Sequence, residues 1–364
     1  MKKIMVVGAG KIGSLIALML SQSNKYCVHA VDSSLDSTDL KKTLDSQPQI
    51  TTAKLDILQK DNLKKYILEQ QITTLVSCLP TTLNIQIAEV ARDLKINYFD
   101  LTEDTTVSAT VAKIAQGASS IFVPHCGVAP GFINTLAANL INSFESCHTV
   151  KLRVGALPQK STNTLGYALT WSTDGLINEY INRCFALENG KKIEKPALGD
   201  LESIQIEGTK FEAFSTSGGV GTLIDSYAGE VKKIDYKTIR YPGHCDKMNF
   251  LLNELNLRNK RETLKELLES SLPRTYDDLV LLYVTATGTV DNKLIEKNYF
   301  KKIYPQEICN IKWSAIQVAT ACGVCAAIDV AVSDSDKFKK GLIRQEQFSL
   351  NELLDSHFGI YLTA

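Results

Sequence analysis

The apolar run Ile4-Met5-Val6-Val7 leads without a break into Gly8-Ala9-Gly10-Lys11-Ile12-Gly13, and the helical pattern Ser14-Leu15-Ile16-Ala17-Leu18-Met19-Leu20 follows. Glycines at G-x-G-x-x-G spacing carry little weight alone. Between a strand and a helix they constrain the chain strongly, because each does a separate job. Gly8 permits a tight turn, Gly10 lets a pyrophosphate come against the backbone, and Gly13 lets the helix pack closely on the strand. The helix starts inside this loop, so the N–H groups around Lys11 and Ile12 and the positive dipole end face the phosphates. A chain that opens this way predicts a parallel α/β sheet built to hold a dinucleotide.

Asp32 closes the second strand-like segment, Tyr26 to Val31, where the pattern places an acidic side chain roughly 20 residues beyond the glycines. A carboxylate there accepts hydrogen bonds from the adenosine ribose and repels a 2′-phosphate. Ser33 and Ser34 come next, with no arginine. The residues therefore predict NAD rather than NADP, with Asp32 and Ser33 beside the ribose. Asp56, after Ala53-Lys54-Leu55, is a second candidate near the adenine. Ser77-Cys78-Leu79-Pro80 falls at the carboxyl end of another strand, the edge where open sheets take ligands.

The first third alternates strands with helices. Thr74 to Leu79, Tyr98 to Leu101 and Ser120 to Val123 read as strands, and Asp61 to Gln70 and Asn84 to Leu94 as helices. That alternation predicts a doubly wound parallel sheet, a Rossmann domain. The 364 residues exceed one ordinary core, so a second domain is expected. After Gly131 the pattern changes. Phe132 to Phe144, Asp246 to Leu255 and Glu262 to Ser270 read as helices, and Thr149 to Ala156, Phe211 to Phe214, Ile234 to Arg240 and Asp278 to Gly288 as strands. This predicts an α+β substrate domain. The expected boundaries are 1–127 for the dinucleotide domain, 128–310 for the substrate domain, and 311–364 for a late helix and tail returning to the first. That helix, Trp313 to Val332, contains Gln317 and Asp329 and is read as a core helix, not a membrane span.

Lysine plus arginine equals aspartate plus glutamate, 40 each, which argues against nucleic-acid or membrane-surface partners. Nine cysteines form no framework and are read as reduced thiols of a cytoplasmic protein. Cys322 and Cys325 form a C-x-x-C without a second pair, so no metal is expected. The opening Met1-Lys2-Lys3 precedes an apolar run cut short at Gly8, and no secretory signal is read there.

Four clusters in the later chain carry chemistry. His125-Cys126-Gly127-Val128-Ala129-Pro130-Gly131 puts small residues at a strand end, where backbone can approach a ligand. Tyr167 with Trp171 and Ser172 gives an aromatic, hydroxyl-bearing wall suited to a small pocket. Thr216-Ser217-Gly218-Gly219 is a small-residue turn. In Lys237-Thr238-Ile239-Arg240-Tyr241-Pro242-Gly243-His244, Arg240 ends a strand and can grip a carboxylate with two parallel hydrogen bonds.

Taken in order, these clusters resemble the saccharopine dehydrogenase family, and within it bacterial lysine 6-dehydrogenases most. Gly155-Ala156-Leu157-Pro158, Gly175-Leu176, Glu212-Ala213-Phe214 and Gly341-Leu342-Ile343 extend the likeness along the chain. The resemblance implies a small amino-acid substrate, oxidation of a carbon–nitrogen bond in a lysine-derived amino acid, and a homodimer. It implies that Ser77, Cys78, Val128, Ala129 and Pro130 border the cofactor and that Trp171, Ser172 and Arg240 contact substrate. Fungal saccharopine reductases place an arginine where Asp32 stands, so their NADP preference does not transfer. They also carry Asp-Pro-Gly in place of Ala129-Pro130-Gly131, and a second substrate arginine where this chain has Ser217-Gly218-Gly219. A missing second clamp suits lysine itself. The implied reaction moves a hydride from the ε-carbon of L-lysine to NAD, and hydrolysis of the imine gives 2-aminoadipate 6-semialdehyde. The ε-amine titrates near ~10.4 and must lose its proton, so a base is required. Asp100, His125 and His244 are the candidates. Saccharopine as substrate, and a non-catalytic NAD-binding sensor, are the alternatives.

Overall fold

The computed structural model describes residues 1–35, 41–334 and 337–363. The strands are β1 (Lys2–Val7), β2 (Tyr26–Asp32), β3 (Ile50–Lys54), β4 (Thr74–Ser77), β5 (Asn97–Asp100), β6 (Ile121–Val123), β7 (Ser146–Pro158), β8 (Cys184–Glu188), β9 (Lys191–Lys195), β10 (Glu202–Ile206), β11 (Thr209–Ser215), β12 (Lys233–Arg240), β13 (Asp278–Val290), β14 (Lys293–Ile303), β15 (Gln306–Ile308), β16 (Ile311–Trp313) and β17 (Gly341–Leu342). The chain divides into two compact units. The first is Met1–Phe132 with the segment from Gln317 onward, and the second is Ile133–Ile316.

In the first unit seven strands pair in the order β17-β6-β5-β4-β1-β2-β3, all parallel. A parallel sheet is covered on both faces, so its inner strands are apolar without alternation. Every residue of β4 is buried. Helices Lys60–Gln70, Asn84–Asp93 and Thr105–Ala115 close one core cluster with Met5, Val31, Leu75, Tyr98 and Phe122. The strand order reverses between β1 and β4, the switch point at which doubly wound sheets bind ligands.

The late helix runs Ala315–Ser333. Its first N–H groups, from Ala315 and Ile316, donate to Asp278 at the start of β13, at 2.5 and 3.0 Å. Burial raises the Asp278 carboxyl to about 6. From Gln317 the helix belongs to the first unit, where Lys25 and Tyr26 donate to Asp329 at 2.9 and 2.7 Å. β17 then adds beside β6, and Gln345 Nε2 donates to Pro124 O at 2.9 Å, so the tail is tied back at several points. The helix is long and apolar enough to cross a membrane, but 83% of its most apolar window is buried inside the protein. Cys322 and Cys325 lie within it, both buried, with Sγ directed at the carbonyls of Phe358 and Ile16.

The second unit holds a mixed sheet in the order β10-β11-β12-β7-β13-β14, with β8 joining β12 and β9. β12 and β7 run parallel and the other pairs antiparallel. Helices Thr173–Ile181, His244–Asn249 and Arg261–Ser271 enclose a core of Leu176, Ile177, Tyr180, Phe214, Met248, Leu264 and Leu268. The expected helix over 246–255 is two windings. An α-helical turn gives way to a wider π turn at Phe250–Glu254, which keeps Leu252 buried and leaves Phe250 and Leu255 at the surface. β14 was not foreseen, because Lys-Leu-Ile-Glu-Lys-Asn-Tyr-Phe-Lys-Lys-Ile looks too charged for a strand. It is an outer strand, where lysines guard an open edge.

Candidate functional site

In the first unit, Gly8 has φ +96° and donates its N–H to Val31 O at 2.9 Å. A Cβ on Gly8 would stand 2.8 Å from Cys78 O, and one on Gly13 only 1.8 Å from Gly8 O. Both glycines are therefore demanded by the protein's own packing. Gly10 is different. It has φ −69°, lies exposed at the helix N-cap, and a Cβ there would meet no protein atom within 4 Å. Nothing in the fold requires glycine at that position, whereas a pyrophosphate laid on the loop does. The residues fit a dinucleotide. Lys11 and Ile12 stand at the helix start, exposed and half-buried. Asp32 Oδ2 accepts from Ala9 N at 2.9 Å, so one carboxylate ties strand end to loop. Its Oδ1 accepts the N–H and hydroxyl of Ser34 at 2.8 and 2.9 Å, while Ser33 is exposed beside it. Cys78 and Leu79 both reach the loop at Gly8.

Asp56 is accounted for by local structure. It is exposed and accepts Leu58 N and Gln59 Nε2 at 3.0 and 3.1 Å, so its carboxylate closes its own turn. Ser77 is buried and its hydroxyl donates to Asn84 Oδ1 at 2.7 Å, which leaves its main chain to border a ligand. The Cys78 thiol is pushed up to about 12 by burial and by Asp100, and stays protonated near neutrality.

Asp100 and His125 come together at the ends of β5 and β6. Asp100 is fully buried and accepts Tyr98 OH at 2.8 Å, Thr102 N at 2.9 Å and His125 N at 3.2 Å. Burial raises its carboxyl above the usual range. With both oxygens engaged, Asp100 organises the turn rather than taking a proton from a ligand. His125 sits at φ +62°, a conformation that side-chain-bearing residues seldom adopt, and these bonds hold it there. Its Nδ1 lies 2.7 Å from Thr102 O. A carbonyl only accepts, so Nδ1 carries a proton, and in the neutral imidazole the lone pair is on Nε2. Val128 and Pro130 are buried and Ala129 half-buried, in a turn closed by Phe132 N donating to Gly127 O at 2.9 Å.

In the second unit, Tyr167, Trp171, Arg240 and His244 form one cluster, and Tyr180 and Glu179 complete it. Trp171 Nε1 donates to Tyr167 OH at 3.2 Å. The Arg240 guanidinium lies 5.1 Å from the Tyr167 ring centre, a cation–π contact. Arg240 Nε donates to Tyr180 OH at 2.9 Å, Nη1 to Ile239 O at 3.0 Å, and Nη2 to Glu179 Oε2 at 3.3 Å. One N–H on each terminal nitrogen is left over among the described residues. Burial works against the Arg240 charge, yet Tyr180, Tyr167 and Glu179 together hold it firmly protonated. Ser172 does not reach this cluster through its hydroxyl. It is exposed, and Oγ accepts Gly175 N at 3.2 Å, which caps helix Thr173–Ile181 and so fixes the helix carrying Glu179 and Tyr180.

His244 Nδ1 donates to Leu165 O at 2.9 Å, so its Nε2 accepts the hydroxyl of Tyr180 at 3.0 Å. Tyr180 in turn accepts from Arg240. This directed chain holds the imidazole neutral, and burial followed by the Arg240 charge pushes it down to about 3. With both nitrogens engaged, His244 positions Tyr180 and Arg240 and is a poor base. Its folded value lies below its ordinary 6.5, so the unfolded chain takes up the proton first as pH falls. Stability is then lost between about pH 6.5 and about 3, at about 1.4 kcal/mol per pH unit from this group. Urea unfolding from pH 7 to 4 should show a shallower loss in His244→Gln than in the natural chain.

Neither Glu179 nor Tyr180 was foreseen. The apolar spacing of Leu176, Ile177 and Tyr180 reads as core, and nothing in the sequence pairs that helix with Arg240.

Two family models match the chain. The saccharopine dehydrogenase NADP binding domain covers residues 4–121, and the saccharopine dehydrogenase C-terminal domain covers 127–358. The chain belongs to the saccharopine dehydrogenase family. Its members are NAD(P)-dependent amino-acid oxidoreductases. The mitochondrial alpha-aminoadipic semialdehyde synthase of Rattus norvegicus is 22% identical over 99% of the chain, and that of Mus musculus 21% over 99%. The chain spans 39% of the length of each of these relatives. Among solved structures, saccharopine dehydrogenase (L-Glu forming) of Saccharomyces cerevisiae superposes with TM-score 0.78 at 14% identity, covering 99% of this chain and 98% of that one. Homospermidine synthase of Legionella pneumophila, solved with NAD, gives 0.66 at 13%, covering 99% and 90%. At these identities the superpositions establish the fold.

Proposed function

We propose that this member of the family is an NAD-dependent dehydrogenase of the carbon–nitrogen bond of a lysine-type amino acid, with L-lysine 6-dehydrogenase the best match. Arg240 carries the reading. A buried guanidinium with a donor left on each terminal nitrogen is costly unless an acceptor arrives, and a carboxylate fills both donors at once. Bound at the glycine loop, a nicotinamide dinucleotide would accept the hydride from the carbon bearing the nitrogen. Asp32 favours NAD, since a 2′-phosphate would meet its negative charge. His125, whose Nε2 meets no hydrogen-bond partner among the described residues, suits the task of taking the amine proton better than Asp100 or His244. His125→Asn is expected to lower kcat about a hundredfold or more while NAD affinity holds; stopped-flow turnover beside NAD titration checks it.

Saccharopine is the second reading, favoured by the family models and by the yeast fold match. Ser217-Gly218-Gly219 speaks for the smaller substrate. Ser217 bonds to the main chain of Asn178 and Glu179, so this segment borders the cluster and adds no second guanidinium. The same reading takes the protein as a cytoplasmic homodimer, on its charge balance, its free thiols and its resemblance. The deciding assay follows NADH formation with each amino acid and identifies the nitrogenous product. Ammonia from lysine supports the first reading and glutamate from saccharopine the second. NAD binding without turnover on either replaces both with a sensor.

A further inference from the structure

Glu179 stands where a plain carboxylate clamp would not want it. It lies 3.3 Å from Arg240 Nη2 through a single oxygen, and its side chain is 15% exposed against 2% for the arginine. The guanidinium is thus the inner member of the pair and the carboxylate the outer. Both are held by one helix. The Ser172 cap fixes its start, Ser217 N donates to Glu179 O at 3.0 Å, and the adjoining Tyr180 grips Arg240 Nε. A simple carboxylate approaching Arg240 would also meet the Glu179 charge and be repelled. A ligand that carries an ammonium next to its carboxylate turns that repulsion into a second attraction. An α-amino acid has this arrangement, with both charged groups attached to one carbon.

We propose that Glu179 is a specificity-determining residue, taking the α-ammonium of the substrate while Arg240 takes its α-carboxylate. The proposal rests on Arg240 as the carboxylate site. It selects against ω-amino acids that lack the α-amine, although these present the same reacting carbon. Calorimetry on the full chain saturated with NADH, which cannot accept a hydride, would compare L-lysine with 6-aminohexanoate, which differs only by the missing α-amine. The natural chain is expected to bind L-lysine at least about tenfold tighter, as a charge-assisted hydrogen bond implies. Glu179→Gln keeps an acceptor for Arg240 without the charge. It should weaken L-lysine about tenfold and leave 6-aminohexanoate within about twofold, so the preference collapses. Equal losses on both ligands would mean a structural role and overturn the proposal. So would a natural chain that binds the two alike or binds neither, an outcome that needs no variant to fold. NADH formation is scored separately. A chain that turns over lysine yet keeps its preference in Glu179→Gln sinks this inference alone. One that binds with the expected preference and reduces no NAD sinks the dehydrogenase reading alone.

Discussion

Gly10→Ala is expected to fold as the natural chain does and to lose the dinucleotide. Its φ suits alanine, and the added methyl meets no protein atom within 4 Å. The cost to stability stays within about 1 kcal/mol, the difference between glycine and alanine at an N-cap. The methyl would instead occupy the surface on which a pyrophosphate lies, so NAD affinity should fall at least about a hundredfold. Gly13→Ala makes the opposite pair of predictions. Its Cβ would stand 1.8 Å from Gly8 O, and helix and loop cannot both keep their places. A loss of about 3 kcal/mol or more is expected, with cofactor binding falling as a consequence. Chemical denaturation and NAD titration on the two variants separate the cases. If Gly10→Ala bound NAD normally, the loop would not be the pyrophosphate site.

Arg240→Lys is the second large effect. A lysine keeps the charge but cannot hold Tyr180, Ile239 O and Glu179 while offering two parallel donors to a ligand. KM for the amino acid should rise about a hundredfold with NAD affinity unchanged, because the dinucleotide loop belongs to the other unit. Arg240→Met also removes the cation paired with Glu179. Stability is then expected to fall by about 2–3 kcal/mol, below the usual cost of a broken buried pair because Glu179 keeps some water. Steady-state kinetics on both substrates, beside thermal unfolding, reads each part. An unchanged KM in Arg240→Lys would leave the guanidinium a purely structural group.

Local pattern made much of the first unit readable. The glycine spacing, the apolar strands and the acid at the end of β2 are all short-range features, and each has one conformational solution. Asp56 was ambiguous from the start, because an aspartate after a strand closes a turn as readily as it meets a ligand, and here it closes its own turn. The surroundings of Asp100 and His244 were illegible for a different reason. What a titratable group can do depends on who fills its hydrogen bonds, and those partners, Tyr98 and His125 for one, Tyr180 and Leu165 for the other, are set by the fold. Ser172 was expected beside the substrate, and its hydroxyl caps a helix that the sequence reading had not marked.

Sequence alone determined that this chain would wind a parallel sheet around a phosphate-binding loop, because glycine, alternation and an acid at a strand end act within a few bonds. It also placed Arg240 at the end of a strand, where the structure has it. Only the tertiary structure decided that Glu179 and Tyr180 share that arginine, that His244 is held neutral with both ring nitrogens engaged, and that His125 turns Nδ1 to Thr102 O. Those are properties of distance and burial between residues far apart in the chain, and no local pattern encodes them.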